Sequence, residues 1–172
     1  MPTKKLHTKK EVKSISKTNE NPERHLIEGA NILVKEFQTP ANLLKFLTCS
    51  INWIEDYNDE RAKEGQTADS DTFFIRLLID HLLHPWLEKS QNNIPGITNG
   101  LKEIQDVFGY DGYFECLTTI LKGFTVNVSE APYVNEEMKK YMLSFCTMFE
   151  IGRLISDYEL ETKERNKLSK AA

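Results

Sequence analysis

The residues of this sequence that could do chemistry are concentrated between Arg76 and His84. Arg76, Asp80 and His84 follow one another at intervals of four residues. In an α-helix this spacing turns the side chain by only about 40° per step, so the three would form one narrow polar row. His81 lies about 140° around the helix from Arg76, beside that row. Two imidazoles and a carboxylate so close together could bind a metal ion.

A structural role for the same residues is the alternative to a metal site. A metal site needs a third and a fourth ligand, and the sequence offers no residue that would supply them. Arg76 and Asp80 are i, i+4 partners and could simply form an ion pair, which His84 would extend. We therefore predict no metal site. Because no phosphate-, dinucleotide- or zinc-binding motif occurs elsewhere in the chain, we predict no cofactor either.

The segment from Arg76 to His81, RLLIDH, fits the pattern Arg-x4-His and resembles the signature of the HEPN family of helical-bundle ribonucleases. This resemblance implies metal-independent cleavage of RNA, usually at a site built across a dimer. The family's arginine carries over to Arg76, which would hold the phosphate and stabilise its developing charge. The histidine carries over to His81, which would move protons at the 2′-hydroxyl or the leaving oxygen. Asp80 and His84 would be adjacent to both.

The stretch from Ser70 to Leu87 would position these groups, and it is the most apolar segment of the chain. It lacks strict alternation and is too long for an ordinary strand. A helix that is apolar nearly all round is usually buried on several sides, so we predict a buried central helix at about residues 70–84. Pro85 lacks an N–H group and disfavours helical geometry at His84. We therefore predict a kink or break there, with a short second helix opening at Pro85.

The rest of the sequence also predicts helices. Thr39 precedes a proline, which is the pattern of a helix cap followed by the first helical position. Apolar residues recur at helical spacing, Gly109 is a predicted helix stop, and no segment would form a credible sheet. We predict an all-α, single-domain bundle of six or seven helices over residues 21–168, followed by a frayed C-terminus at 169–172.

The charge of the chain is unevenly distributed. The whole sequence carries −4. Residues 1–20 hold six lysines against two glutamates, which leaves −8 on the remainder. We predict a disordered basic tail on an acidic body. The tail would either be a solubilising segment that folds onto the body or contact nucleic acid or an acidic partner. The lysines that would make such contacts are Lys4, Lys5, Lys9, Lys10 and Lys13.

Cysteine usage and hydropathy indicate the compartment. Three cysteines, Cys49, Cys116 and Cys146, are far apart, odd in number and set within apolar patterns. They are typical of reduced thiols in the core of a cytoplasmic protein rather than of a disulfide framework or a zinc site. No apolar run approaches the length of about 18 residues that a membrane span needs, and the lysine-rich start is not followed by the apolar core of a secretory signal.

These patterns favour a non-enzymatic helical protein that regulates or binds a protein partner, or that associates with itself. It would work by presenting helix faces, with charge biasing the choice of partner. The first alternative is a HEPN-like endoribonuclease or a degenerate relative, using Arg76 and His81. The second is nucleic-acid contact through the basic tail, which the acidic body disfavours.

Overall fold

The structure is a computed structural model that describes residues 21–65, 72–88, 93–129, 131 and 133–171. The described residues are helical and contain no strand, so the all-α prediction is confirmed. The basic tail predicted at residues 1–20 lies outside them. The helices are α1 (Glu23–Phe37), α2 (Pro40–Lys63), α3 (Thr72–Leu78), a π-helical turn (Ile79–Leu83), α4 (His84–Glu88), α5 (Ile94–Ser129) and α6 (Glu136–Ala171).

The predicted number of six or seven helices is not confirmed. Because α3, the π-helical turn and α4 follow one another without interruption, the described residues form five continuous helical stretches. One of the predicted interruptions is present, since Gly109 has non-helical backbone angles (φ 62°, ψ −176°) inside α5. The last helix, α6, is helical through Ala171.

The kink or break predicted at Pro85 is not confirmed. His84 keeps helical angles (φ −59°, ψ −49°), and its backbone N–H donates to the carbonyl of Ile79, five residues back. This wider π-helical turn comes directly before the proline. A π turn places one extra residue in the helix. In an α-helix the Pro85 ring would clash with the preceding turn. The extra residue of the π turn makes room for the ring, so the helix is not broken.

The buried central helix predicted at residues 70–84 is also wrong in one respect: only one face of this segment is covered. Phe74, Ile75 and Leu78 are buried, whereas the Arg76 side chain is 80% exposed. Helical spacing explains the division, since Phe73 and Arg76 lie within about 60° of each other and point away from the buried side. Both are exposed. The segment is an amphipathic outer helix rather than the centre of the bundle.

The centre of the bundle is α5. It packs against α1, α2, α6 and the segment from α3 to α4. Glycines allow the closest approaches: a Cβ atom on Gly123 would overlap the backbone carbonyl of Trp53, and one on Gly100 would overlap the backbone carbonyl of His81. Small residues at helix crossings let two backbones come this close. The two crossings therefore hold α2 and the π-helical turn tightly against α5.

An aromatic cluster fills the space between α2, α5 and α6. Trp53 is 5% exposed, and its ring lies 4.9 Å from that of Phe124 and 5.6 Å from that of Phe145. The Tyr141 ring lies 5.0 Å from Trp53, nearly perpendicular to it. These separations are in the range at which aromatic pairs attract one another. The cluster fixes the position of α6 relative to α2.

The cysteines are only partly in the core. Cys116 is buried and Cys49 is half-buried, but Cys146 is exposed, so the prediction of three core thiols is wrong for Cys146. All three are free thiols. Every helix in the described ranges is too short or too polar to span a bilayer.

Candidate functional site

A cleft opens where the turn between α1 and α2 faces the first part of α6. We call it the α1–α2–α6 cleft. Its volume is about 380 Å³. Residues from all three helices line it, namely Glu36, Phe37, Gln38, Asn42, Lys45, Phe46, Glu137, Lys140, Tyr141, Leu143, Ser144 and Thr147. Polar and charged groups on its walls are mixed with a few apolar and aromatic ones.

The turn at one end of the cleft is strained. Gln38 has φ 63° and ψ −36°, the only positive φ at a residue other than glycine in the described ranges. The Thr39 N–H donates to the carbonyl of Phe37 at 2.7 Å, which makes Gln38 the centre of a γ-turn with positive φ. Such a conformation costs about 1–3 kcal/mol and tends to occur at functional sites.

Neighbouring groups hold this turn in place. The side chain of Asn42 donates to the same Phe37 carbonyl at 2.8 Å. The backbone N–H of Gln38 donates to Val34, and Thr39 caps α2 by accepting the N–H of Asn42 at 3.2 Å. Asn42 thus braces the turn from the first turn of α2. The surrounding bonds fix the strained backbone so that Gln38 projects at the edge of the cleft.

A chain of hydrogen bonds joins α2 to α6 along the cleft wall. The Lys45 ammonium contacts the Glu137 carboxylate at 2.5 Å. The Tyr141 hydroxyl donates to the same carboxylate at 3.0 Å. Cys49 Sγ lies 3.2 Å from the Tyr141 oxygen. Since the phenol has one proton and gives it to Glu137, the thiol is the donor to Tyr141. The four groups therefore form one directed relay from a half-buried thiol to an exposed ion pair.

This relay keeps both charged groups ionised. The hydrogen bond from Lys45, supported by the one from Tyr141, lowers the pKa of Glu137. The bond to Glu137 raises the pKa of Lys45. Burial, together with the bonds to Cys49 and Glu137, raises the pKa of Tyr141. The phenol therefore stays protonated at neutral pH and serves as a fixed donor rather than as a base.

Apolar groups form the remainder of the cleft. Phe37 and Phe46 are buried beneath it, with ring centroids 5.7 Å apart. Leu143 lies at the rim and is 67% exposed. Leu143 lies next to the aromatic floor of the cleft, so its exposed side chain is apolar surface that a bound group could cover. The cleft thus combines a fixed polar wall with an uncovered apolar contact.

The polar row expected at residues 76–84 lies on the outer face of the bundle, away from the apolar contacts that bury this segment. Arg76 Nε is 3.9 Å from Asp80 Oδ2, and His84 Nδ1 is 3.4 Å from Asp80 Oδ1. The side chains are 80%, 43% and 56% exposed, for Arg76, Asp80 and His84 respectively. Exposed ion pairs of this kind contribute about 0–1 kcal/mol. Arg76, Asp80 and His84 contact one another in this row, and no fourth charged side chain of the described residues joins them.

His81 lies beside this row and is half-buried. Its backbone carbonyl packs against Gly100 in the π-helical turn. The structure brings Arg76 and His81 onto the same helix but records no hydrogen bond between them. Within the described ranges, no group of three histidine, cysteine, aspartate or glutamate side chains could hold a metal ion. The predicted partner-binding lysines lie outside those ranges.

Comparison with protein-family models, with curated proteins and with solved structures found no match to this chain. The site therefore has to be interpreted from its own geometry.

Sequence reasoning missed the α1–α2–α6 cleft because its residues come from three separate helices. The only local signal was Thr39 with its following proline, which marks the turn at the cleft edge. Nothing in the sequence pairs Lys45 with Glu137 or Cys49 with Tyr141, which are 92 residues apart in each case.

Proposed function

We propose that this protein is a helical interaction protein and that a protein partner binds in the α1–α2–α6 cleft. The observation that carries the proposal is the pairing of exposed Leu143 with a strained, hydrogen-bonded turn at Gln38 across one opening. Interface hot spots are side chains that become fully desolvated near the centre of an interface, surrounded by contacts that exclude water. A wall that is already ordered loses little entropy when a partner binds. Neither feature supplies a reacting nucleophile or base.

The partner experiment compares two equivalent leucines on α6. Leu143→Glu places a charge at the cleft rim, and Leu168→Glu places the same charge at a site of equal exposure near the far end of the helix (67% and 70% exposed). We expect the cleft variant to lose its partner in quantitative affinity purification from the cells that express the chain. The loss should be at least about tenfold relative to the wild type, as for truncation of a hot-spot residue.

The control variant should retain the partner at wild-type yield, and both variants should keep the wild-type helical circular dichroism. Equal recovery by the two variants, or equal loss, would place the binding surface outside the cleft.

Metal-independent RNA cleavage by Arg76 and His81 is the second candidate function. Two observations favour it: the Arg76 guanidinium is accessible to a phosphate, and His81 lies in a π-helical turn, a feature frequent at functional sites. This candidate predicts that the protein degrades RNA in the presence of EDTA. Arg76→Ala or His81→Ala should then lower the rate of RNA cleavage by about 10²–10⁴-fold. The control Arg153→Ala, which changes a surface arginine on α6, should leave this rate unchanged. Absence of cleavage by the wild type would eliminate it.

A further inference from the structure

The cations of the α1–α2–α6 cleft are not all neutralised. Glu36 is paired with Lys35 at 3.2 Å, and Glu137 is paired with Lys45. Each carboxylate that lines the cleft therefore has a lysine partner. Lys140 is exposed and forms no ion pair among the residues described, and it acts on Glu137 only at longer range. It is the cation that a bound group could neutralise.

Lys140 and Leu143 are one helical turn apart on α6. Residues at this spacing lie about 5–6 Å from each other on a helix surface. Residues from Glu137 to Thr147 of α6 line the cleft, so it follows α6 for ten residues, or about 15 Å at the α-helical rise. An extended peptide of about four or five residues has the same length. The cleft thus matches a short linear segment rather than a whole helix.

We infer that the segment that docks in the α1–α2–α6 cleft is a short acidic peptide motif of a protein partner. An aspartate or glutamate side chain binds Lys140, and an apolar side chain two or three residues away covers Leu143 and the edge of Phe37. The exposed side-chain amide of Gln38 offers one donor and one acceptor to the peptide backbone between them. This inference rests on the proposed docking of a protein partner and specifies the chemistry of the segment that binds.

Two other occupants fit the cleft less well. A nucleic acid would bring phosphates close to Glu36 and Glu137, which line the same walls, and nucleic-acid sites are strongly positive. The chain's own basic residues 1–20 would set lysines against Lys140. A single acidic side chain gains an ion pair at Lys140, whereas a nucleic acid would bring a further phosphate at every nucleotide along walls that also hold Glu36 and Glu137.

The experiment is a selection from a random peptide display library on the immobilised full-length protein. We expect enrichment of peptides with an acidic residue two or three positions from a large apolar one. Synthetic copies of the enriched peptides, measured by fluorescence anisotropy, should bind Lys140→Glu about tenfold more weakly than the wild type. A separate selection on Lys140→Glu should enrich basic residues in place of acidic ones. Lys167→Glu, the same charge change near the far end of α6, should leave binding unchanged.

The outcomes separate this inference from the proposed function. Enriched peptides that bind through Leu143 but lack acidic residues would overturn the inference and leave partner docking intact. Peptides whose binding is unaffected by both Leu143→Glu and Lys140→Glu, or no enrichment at all, would overturn both. A concentration-dependent dimer in sedimentation that Leu143→Glu abolishes, or tight binding of a single-stranded RNA that Lys140→Glu abolishes, would assign the cleft to a different occupant and overturn the inference.

Discussion

Gly123→Ala is expected to unfold most of the protein or to lower its free energy of unfolding by about 3 kcal/mol or more, the upper end of the cost of overpacking a core. The added Cβ would overlap the backbone carbonyl of Trp53. A flexible side chain could turn aside, but this carbonyl is part of α2 and can move only if the whole helix moves. Because α2 carries one wall of the aromatic cluster, that movement would also loosen the packing of Trp53 on Phe124.

The measurement is urea denaturation followed by circular dichroism. Glu115→Ala, also on α5 but exposed, is the control and should stay within about 0.5 kcal/mol of the wild type. Since alanine favours helix over glycine by about 1 kcal/mol, an open position would become more stable after the substitution. A Gly123→Ala midpoint equal to or above that of the control would therefore mean that α2 and α5 do not approach each other this closely.

The sequence predicted those parts of the fold that are controlled by neighbouring residues. Thr39 caps α2 as expected, since its side chain accepts the N–H of Asn42 at 3.2 Å. The interruption at Gly109 was also foreseen, and its φ of 62° is a conformation that glycine adopts readily. After Gly109, the Tyr110 N–H donates to the Glu159 carboxylate on α6 at 3.1 Å. That bond, unlike the glycine, could not be anticipated, because its acceptor is 49 residues away.

The errors occurred where tertiary contacts decide the outcome. The apolar run around Ile75 predicts a helix buried on several sides, but Phe73 is 58% exposed. Hydropathy indicates that a helix has apolar residues to bury, but it does not indicate how many other helices will pack against it. At Pro85 the local preference for a break was overridden by the π-helical turn, which is held against Gly100 of α5. The role of Gly100 and Gly123 in close helix packing could not be predicted for the same reason, since such packing depends on both helices.

The candidate functional residues show the same contrast between features set by neighbouring residues and features set by tertiary contacts. The sequence identified the row from Arg76 to His84 because its spacing is local. It gave no indication of the α1–α2–α6 cleft, since Lys45 and Glu137 meet only after α2 and α6 have packed. Chemistry that lies within one helix can be found from spacing, whereas a site assembled from several helices requires the fold.

Trp53→Ala is the second change with a large expected effect, a loss of about 3–5 kcal/mol in the free energy of unfolding. Trp53 is 5% exposed and its ring contacts aromatic rings on α2, α5 and α6. Removing it would leave a cavity at the junction of the three helices, and both the transfer energy and the cavity contribute to the cost. Tyr133→Ala, at an aromatic residue that is 71% exposed, should change stability by less than about 0.5 kcal/mol.

The same substitution distinguishes support of the cleft from direct contact with a partner. The Tyr141 ring packs on Trp53, while its hydroxyl orients Glu137 in the cleft. Trp53→Ala should therefore weaken both stability and partner binding, and Trp53→Phe, which keeps an aromatic ring, should restore part of each. Leu143→Glu should weaken binding alone, because its side chain is exposed. If Trp53→Ala destabilises the protein while partner affinity per folded molecule stays at the wild-type value, then the wall formed by Tyr141 is not needed for docking, and the rim at Leu143 and Lys140 acts without it.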